Sequence, residues 1–154
     1  MGLDMYLSAK KYMSRYFDEK DSERIKTVNE LFGVEGDEND DYGAEEVKFR
    51  VAYWRKANAI HQWFVDNVQK GVDDCDEYHV TREQLKQLME LCEQIIADKK
   101  KAEELLPTQS GCFFGNTDYD EWYMEDIERT IVRFKKILSD PAFEKAAFYY
   151  QASW

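Results

Sequence analysis

The sequence predicts one α+β domain, a small mixed or antiparallel sheet with three main helices packed largely on one face. Three observations carry this. Short segments of alternating polarity lie near both ends of the chain and between helical stretches. Three long stretches place apolar residues at helical spacing. The 154 residues, 44% apolar and 15% aromatic, suffice for one core and leave no room for a second.

Leu3, Met5 and Leu7 alternate within residues 2–7, which suits a short strand. Ile25, Val28, Leu31 and Phe32 give a helix over 21–32, with Gly33 as its stop signal. Residues 33–46 hold three glycines and seven acids, and read as an exposed loop, the least ordered internal segment. Val47, Phe49, Val51 and Tyr53 alternate with Lys48, Arg50 and Ala52, a half-buried strand. From Trp54 to Gln69 the period becomes helical, with Ala57, Ile60, Phe64 and Val68 on one face. A single helix over 45–69 is the alternative; the β-branched and aromatic alternation favours strand then helix.

Residues 77–80 form a short strand that runs into Thr81-Arg82-Glu83-Gln84, the spacing of a capping box. Leu85, Leu88, Met89, Cys92, Ile95 and Ile96 then give a long amphipathic helix that must end before Pro107. Residues 108–118 read as a strand around Cys112–Phe114 between turns. Tyr123, Ile127, Ile131, Phe134 and Leu138 carry the third long helix, with Asp118 or Asp120 as N-cap and an end near Asp140-Pro141. The last segment, Ala147 to Trp154, is a terminal strand with Phe148 and Tyr150 on one side and Tyr149 on the other.

Composition narrows the function. No apolar run approaches the ~18 residues of a membrane span. The start Met-Gly-Leu-Asp-Met-Tyr-Leu lacks the basic and apolar regions of a secretory signal, and Tyr6 stands where an acylation site wants Ser or Thr. Cys75, Cys92 and Cys112 are odd in number and widely spaced, which fits a reducing cytoplasm and disfavours disulfides or a zinc site. The net charge of −11 argues against duplex nucleic acid as a partner. Within that acidity, residues 47–70 carry five basic and one acidic side chain. This segment is the place to look for an anion.

Read as a helix, it sets Trp54, Asn58 and His61 in a stripe beside the apolar face, with Arg55 and Lys56 in the first turn. Cations there oppose the helix dipole, yet cations plus free N–H groups make an anion site. A second feature is Thr108-Gln109-Ser110-Gly111, a small-residue loop that would let a ligand approach the backbone. Residues 118–126 pack five acids around three aromatics and read as helix capping before metal binding. Asp37, Asn39 and Asp41 imitate the start of a calcium loop, but Tyr42 and Lys48 occupy the positions that need Gly and Glu. No dinucleotide, phosphate-loop or nucleophile-elbow motif is present. Nothing compels an enzyme, and no cofactor or metal is expected.

The opening MGLDMYL, the blocks YWRKAN (53–58) and LPTQSG (106–111), and the closing FYYQ (148–151) resemble small uncharacterised proteins of bacteriophages and prophages. The resemblance implies a phage-encoded accessory protein in the cytoplasm of an infected bacterium, a class that often acts on host systems. Three functions follow as expectations. The first is a non-enzymatic pocket for a small anionic, nucleotide-like ligand, built from Trp54, Arg55, Lys56, Asn58 and His61 and closed by 108–111. The second is an acidic inhibitor that imitates nucleic acid and occupies a basic cleft of a host protein. The third is a hydrolase using His61 or His79 with a carboxylate.

Overall fold

The structure, a computed structural model, describes residues 2–35 and 42–154. It is an α+β fold in which helices cover one face of a four-stranded antiparallel sheet. The strands are β1 (Asp4–Tyr12), β2 (Glu46–Arg55), β3 (Tyr78–Val80) and β4 (Ala147–Ser153), in the spatial order β2-β1-β4-β3. The helices are α1 (Glu19–Phe32), α2 (Asn58–Asn67), α3 (Arg82–Ala97), the single-turn α4 (Ala102–Leu105) and α5 (Glu121–Ser139). Among the described residues no helix is long and apolar enough to cross a membrane.

The two ends of the chain meet in the middle of the sheet. β1 and β4 are its central pair, with Leu7 opposite Tyr150 and Ala9 opposite Phe148. Period-2 alternation sends Leu3, Met5, Leu7 and Ala9 to the helix side, where Phe148, Tyr150 and Ala152 join them. Phe148 and Tyr150 are buried as the alternation predicts, and Tyr149 faces the other way. The helices contribute Ile60 and Phe64 from α2, Leu85, Leu88, Cys92 and Ile95 from α3, and Ile127, Phe134 and Ile137 from α5. The opposite sheet face is solvated. There Lys10 and Lys48 share Glu77, and Arg50 lies over the Tyr6 ring at 4.8 Å.

Local signals set most element ends. Thr81 and Gln84 form both halves of the capping box at α3, and Asp120 caps α5 by accepting from the Tyr123 N–H. Gly33 ends α1 at φ 66°, the left-handed conformation that a side chain would strain. The guanidinium of Arg82 donates to the Leu138 and Phe143 carbonyls, which closes the C-terminal end of α5.

Four expectations need correction. The first strand is longer than 2–7, because pairing with β2 on one side and β4 on the other extends it to Tyr12. Trp54 and Arg55 belong to β2, and α2 starts only at Asn58. A β-bulge breaks the alternation in β2: Leu7 pairs with Ala52 and Ser8 with Arg50, so Val51 is the extra residue. Beyond the bulge the phase is reversed; Ala52 and Trp54 enter the core and Tyr53 stands outside. Finally, 112–114 form turns instead of a strand, because Phe113 has φ 72° and the Phe114 N–H bonds back to Gly111. Of the acidic loop at 33–46, residues 36–41 lie outside the described residues; 33–35 and 42–45 are irregular, and Glu46 opens β2.

Because β4 is an inner strand, removing residues 147–154 strips both β1 and β3 of a partner and opens the core. The truncated chain is expected to aggregate or to show no cooperative thermal transition; a soluble truncation that melts cooperatively would contradict this. A finer test is Thr130→Val. The buried Trp54 indole N–H donates to Thr130 Oγ1 at 2.8 Å, so the variant leaves it unpaired and should lose about 1–3 kcal/mol in urea unfolding.

Candidate functional site

A cleft of about 450 Å³ opens where β2 turns into α2, within the roughly 300–1,000 Å³ of small-molecule sites. One wall is Arg55, Lys56 and the first turn of α2; the other is the 115–120 segment and the outer face of α5. Thr108 lines it as well, so the basic segment and the 108–111 loop reach one cavity.

The turn that builds the first wall is strained. Lys56 has φ 60°, and the Asn58 N–H reaches the Lys56 carbonyl at 2.9 Å across Ala57, whose φ −78° and ψ 68° are those of an inverse γ-turn. Such conformations cost energy and persist only where the surroundings enforce them. The enforcement is visible. Leu3 accepts from the Lys56 N–H and donates to the Phe113 carbonyl, tying the turn to the opposite loop. Gly115, at φ 89°, lies so close that a Cβ would meet Lys56 Cβ at 3.2 Å.

Asn58 is the staple of the site. Its amide donates to the Phe114 and Asn116 carbonyls at 3.0 and 2.9 Å, and its Oδ1 accepts from the Gln109 N–H at 2.9 Å. These bonds hold the 109–116 loop on the N-terminal end of α2 and leave the buried Asn58 side chain engaged with protein. Gly111 is needed for packing: a Cβ there would meet the Phe114 ring at 2.6 Å. Ser110 is exposed, and neither it nor Gln109 and Gly111 lines the cleft.

Two residues read as ligand contacts are core residues. Trp54 is buried, 6.0 Å from Phe134 edge to face and 6.2 Å from Phe64. A strand position, with its side chain toward the helices, puts it out of reach of a ligand in the cleft. His61 is fully buried. Its Nε2 lies 3.0 Å from Asp73 and its Nδ1 2.7 Å from the Tyr150 hydroxyl. Burial pulls its pKa below the ordinary value, with Asp73 opposing, so the ring is neutral at pH 7. A carboxylate only accepts, which puts the proton on Nε2 and makes Nδ1 the acceptor of the Tyr150 O–H. His61 thus has the carboxylate that a hydrolase would need but no access to substrate. His79 is exposed on β3, edge-on to Tyr149.

The groups facing the cleft are therefore Arg55, Lys56 and the α2 turn on one side, and Asp118, Asp120 and a helical stripe of α5 on the other. Trp122, Glu125, Asp126 and Arg129 recur at spacings of three and four along α5, and all four line the cavity. Trp122 is 73% exposed. Its sequence signal was an aromatic lying off the Tyr123–Ile127–Phe134 core stripe. Among the described residues Arg55 and Lys56 form no ion pair, whereas Arg129 is held by Glu125 at 2.6 Å. Ala57, at the N-cap of α2, supplies no side-chain bond to the first turn. The cleft is bipolar: cations with no ion pair among the described residues face carboxylates.

Burial pushes the Asp126 carboxyl up to about 6, with Arg129 at 3.9 Å pulling weakly the other way. As pH rises from the ordinary carboxylate range to about 6, the unfolded chain releases this proton while the folded chain retains it. Asp126 therefore costs stability through that window and above it. Asp126→Asn should melt higher than the wild type at about pH 8, with the gain gone below about pH 3. An equal difference at both pH values would contradict this. Comparison with protein-family models, curated proteins and solved structures found no match to this chain, so the functional reading rests on the site itself.

Proposed function

We propose that this protein binds a small anionic, nucleotide-like ligand in the cleft at the N-terminal end of α2, without chemistry on it. The observation that carries the reading is the pair Arg55 and Lys56, which line the cavity beside a helix end with no side-chain cap and form no ion pair among the described residues. Phosphate suits that end, because guanidinium, ammonium and backbone N–H groups all favour negative charge. The carboxylates opposite would repel a second anion, but accept from the amino and imino groups of a base. Trp122, at the rim, offers a flat apolar face for the base to stack on, the part first assigned to Trp54. The phage resemblance extends the reading: holding such a ligand would counter a host defence system that uses it as a signal.

The test is thermal denaturation with a panel of mononucleotides and cyclic dinucleotides, with inorganic phosphate as control. Binding to the folded state raises Tm with ligand concentration. Arg55→Ala should weaken the bound nucleotide by about 1.5–3 kcal/mol, roughly tenfold to a hundredfold. The Tm without ligand should hardly move, since an exposed unpaired Arg contributes little to folding. Trp122→Ala should behave likewise. If no nucleotide raises Tm at millimolar concentration, or if Arg55→Ala binds as the wild type does, the reading fails and the acidic inhibitor replaces it.

A further inference from the structure

Helix α1 turns much of its apolar surface to solvent. Its buried positions are Asp21, Ile25 and Asn29, whereas Leu31 and Phe32 are 76% and 80% exposed. Its ties to the rest of the chain are largely polar. The Asp21 carboxylate accepts from the Ser14 N–H at 3.0 Å and from Arg24 at 2.7 Å, and Asn29 Oδ1 accepts from the Ala44 N–H at 2.8 Å. Phe17, just before the Asp18 cap, is 88% exposed, because the position that would staple it in the first turn holds Ser22. An amphipathic helix normally faces its apolar side to the core; this one buries Ile25 but turns Leu31 and Phe32 to solvent.

Phe32 belongs to a shaped surface. Two hollows of about 210 and 490 Å³ adjoin, sharing Tyr42, Gly43, Ala44 and Glu45. Tyr12 lines the first, and Phe32 and Val34 line the second. Isolated apolar side chains on a surface need no explanation, but a contiguous group with hollows between its members marks an interaction site. Around the second hollow the charge is acidic: among the described residues Glu45 is the charged side chain that lines it, and Glu30 and Glu35 flank the Leu31–Val34 stretch in sequence; Arg15 joins Glu45 in lining the first hollow. That charge selects the occupant. A second copy, with the same acids and a net charge of −11, would bring like charges together.

We propose that the α1 arm is a docking surface for a partner protein that presents an apolar ridge flanked by lysine or arginine side chains. Phe32, Val34, Tyr12 and Tyr42 take the ridge, and the acidic rim orients the basic flanks. This surface is separate from the α2 cleft, and each stands or falls without the other.

The test uses the full chain and a synthetic amphipathic helix of leucine and lysine, with its leucine–glutamate counterpart as control, read by fluorescence anisotropy. The lysine peptide should bind saturably and the glutamate peptide should not. Phe32→Ser should weaken binding about tenfold or more while Tm stays unchanged. Val132→Ser, which removes a 67% exposed apolar residue on α5, should leave binding as it was. Tyr42→Ser serves in place of Phe32→Ser if that variant is poorly folded. Equal binding by wild type and both serine variants would mean attraction to net charge alone, and would overturn the proposal. So would binding of the glutamate peptide, or a concentration-dependent dimer in sedimentation that Phe32→Ser dissolves.

Discussion

The stacking of Tyr150 on Phe64, ring centres 3.9 Å apart and planes within 7°, joins the sheet to the helix layer. Tyr150 sits on the inner strand β4, opposite Leu7 of β1, so it lies at the middle of the sheet. A phenol buried this deeply must find a partner for its hydroxyl, and His61, three residues before Phe64, provides it at 2.7 Å. Asp73 then takes the remaining imidazole proton. One aromatic residue therefore fixes α2 through both ring and hydroxyl, while burial keeps His61 neutral and Tyr150 protonated. Other features inherit this placement. With α2 fixed, the β2–α2 turn has little freedom, and Asn58 holds the 109–116 loop where its amide serves three backbone groups.

The cleft is the result of that chain of constraints. Positive φ at Lys56, which lines the cavity, and at Phe113, in the loop opposite, makes two unfavourable backbone conformations that the Leu3 and Asn58 hydrogen bonds maintain, while Gly115 takes its positive φ at little cost. Strain maintained beside a cavity whose two cations have no ion pair among the described residues points the same way as the charge pattern does. On the proposed reading the carboxylates of α5 would discriminate: a plain polyanion would meet Asp126 and Glu125, whereas a ligand with an anionic end and a donor-rich end would meet complementary groups at both.

The acidity of the chain is compatible with folding because most of it is outside or paired. Glu77 bridges Lys10 and Lys48 on the open sheet face, and Asp18, Asp98, Asp120 and Asp140 are spent on caps. The body and the arm use different forces. The body rests on a continuous apolar core, and α1 rests largely on the Asp21 and Asn29 hydrogen bonds. That division leaves Leu31 and Phe32 of α1 uncovered at little cost to the body.

The sequence by itself determined what depends on neighbours along the chain. Helical stripes such as Ile127–Phe134, the Thr81–Gln84 box, the Asp120 cap and the alternation at 148–150 act within a turn or a strand, and each is where its local pattern puts it. Arg55, Lys56 and Thr108 line one cavity, whereas Gln109, Ser110 and Gly111 stay outside it. Only the tertiary structure decided which side of β2 is buried, because the bulge at Val51 is set by pairing with β1 and reverses the phase of every later residue. It thereby sent Trp54 into the core and made Trp122, from a segment sixty-odd residues away, the exposed ring of the cleft. It also set His61 between Tyr150 and Asp73, and turned 112–114 into a turn under Asn58. Each of these rests on a contact between residues far apart in the chain, and such contacts leave no periodic trace in the sequence around either partner.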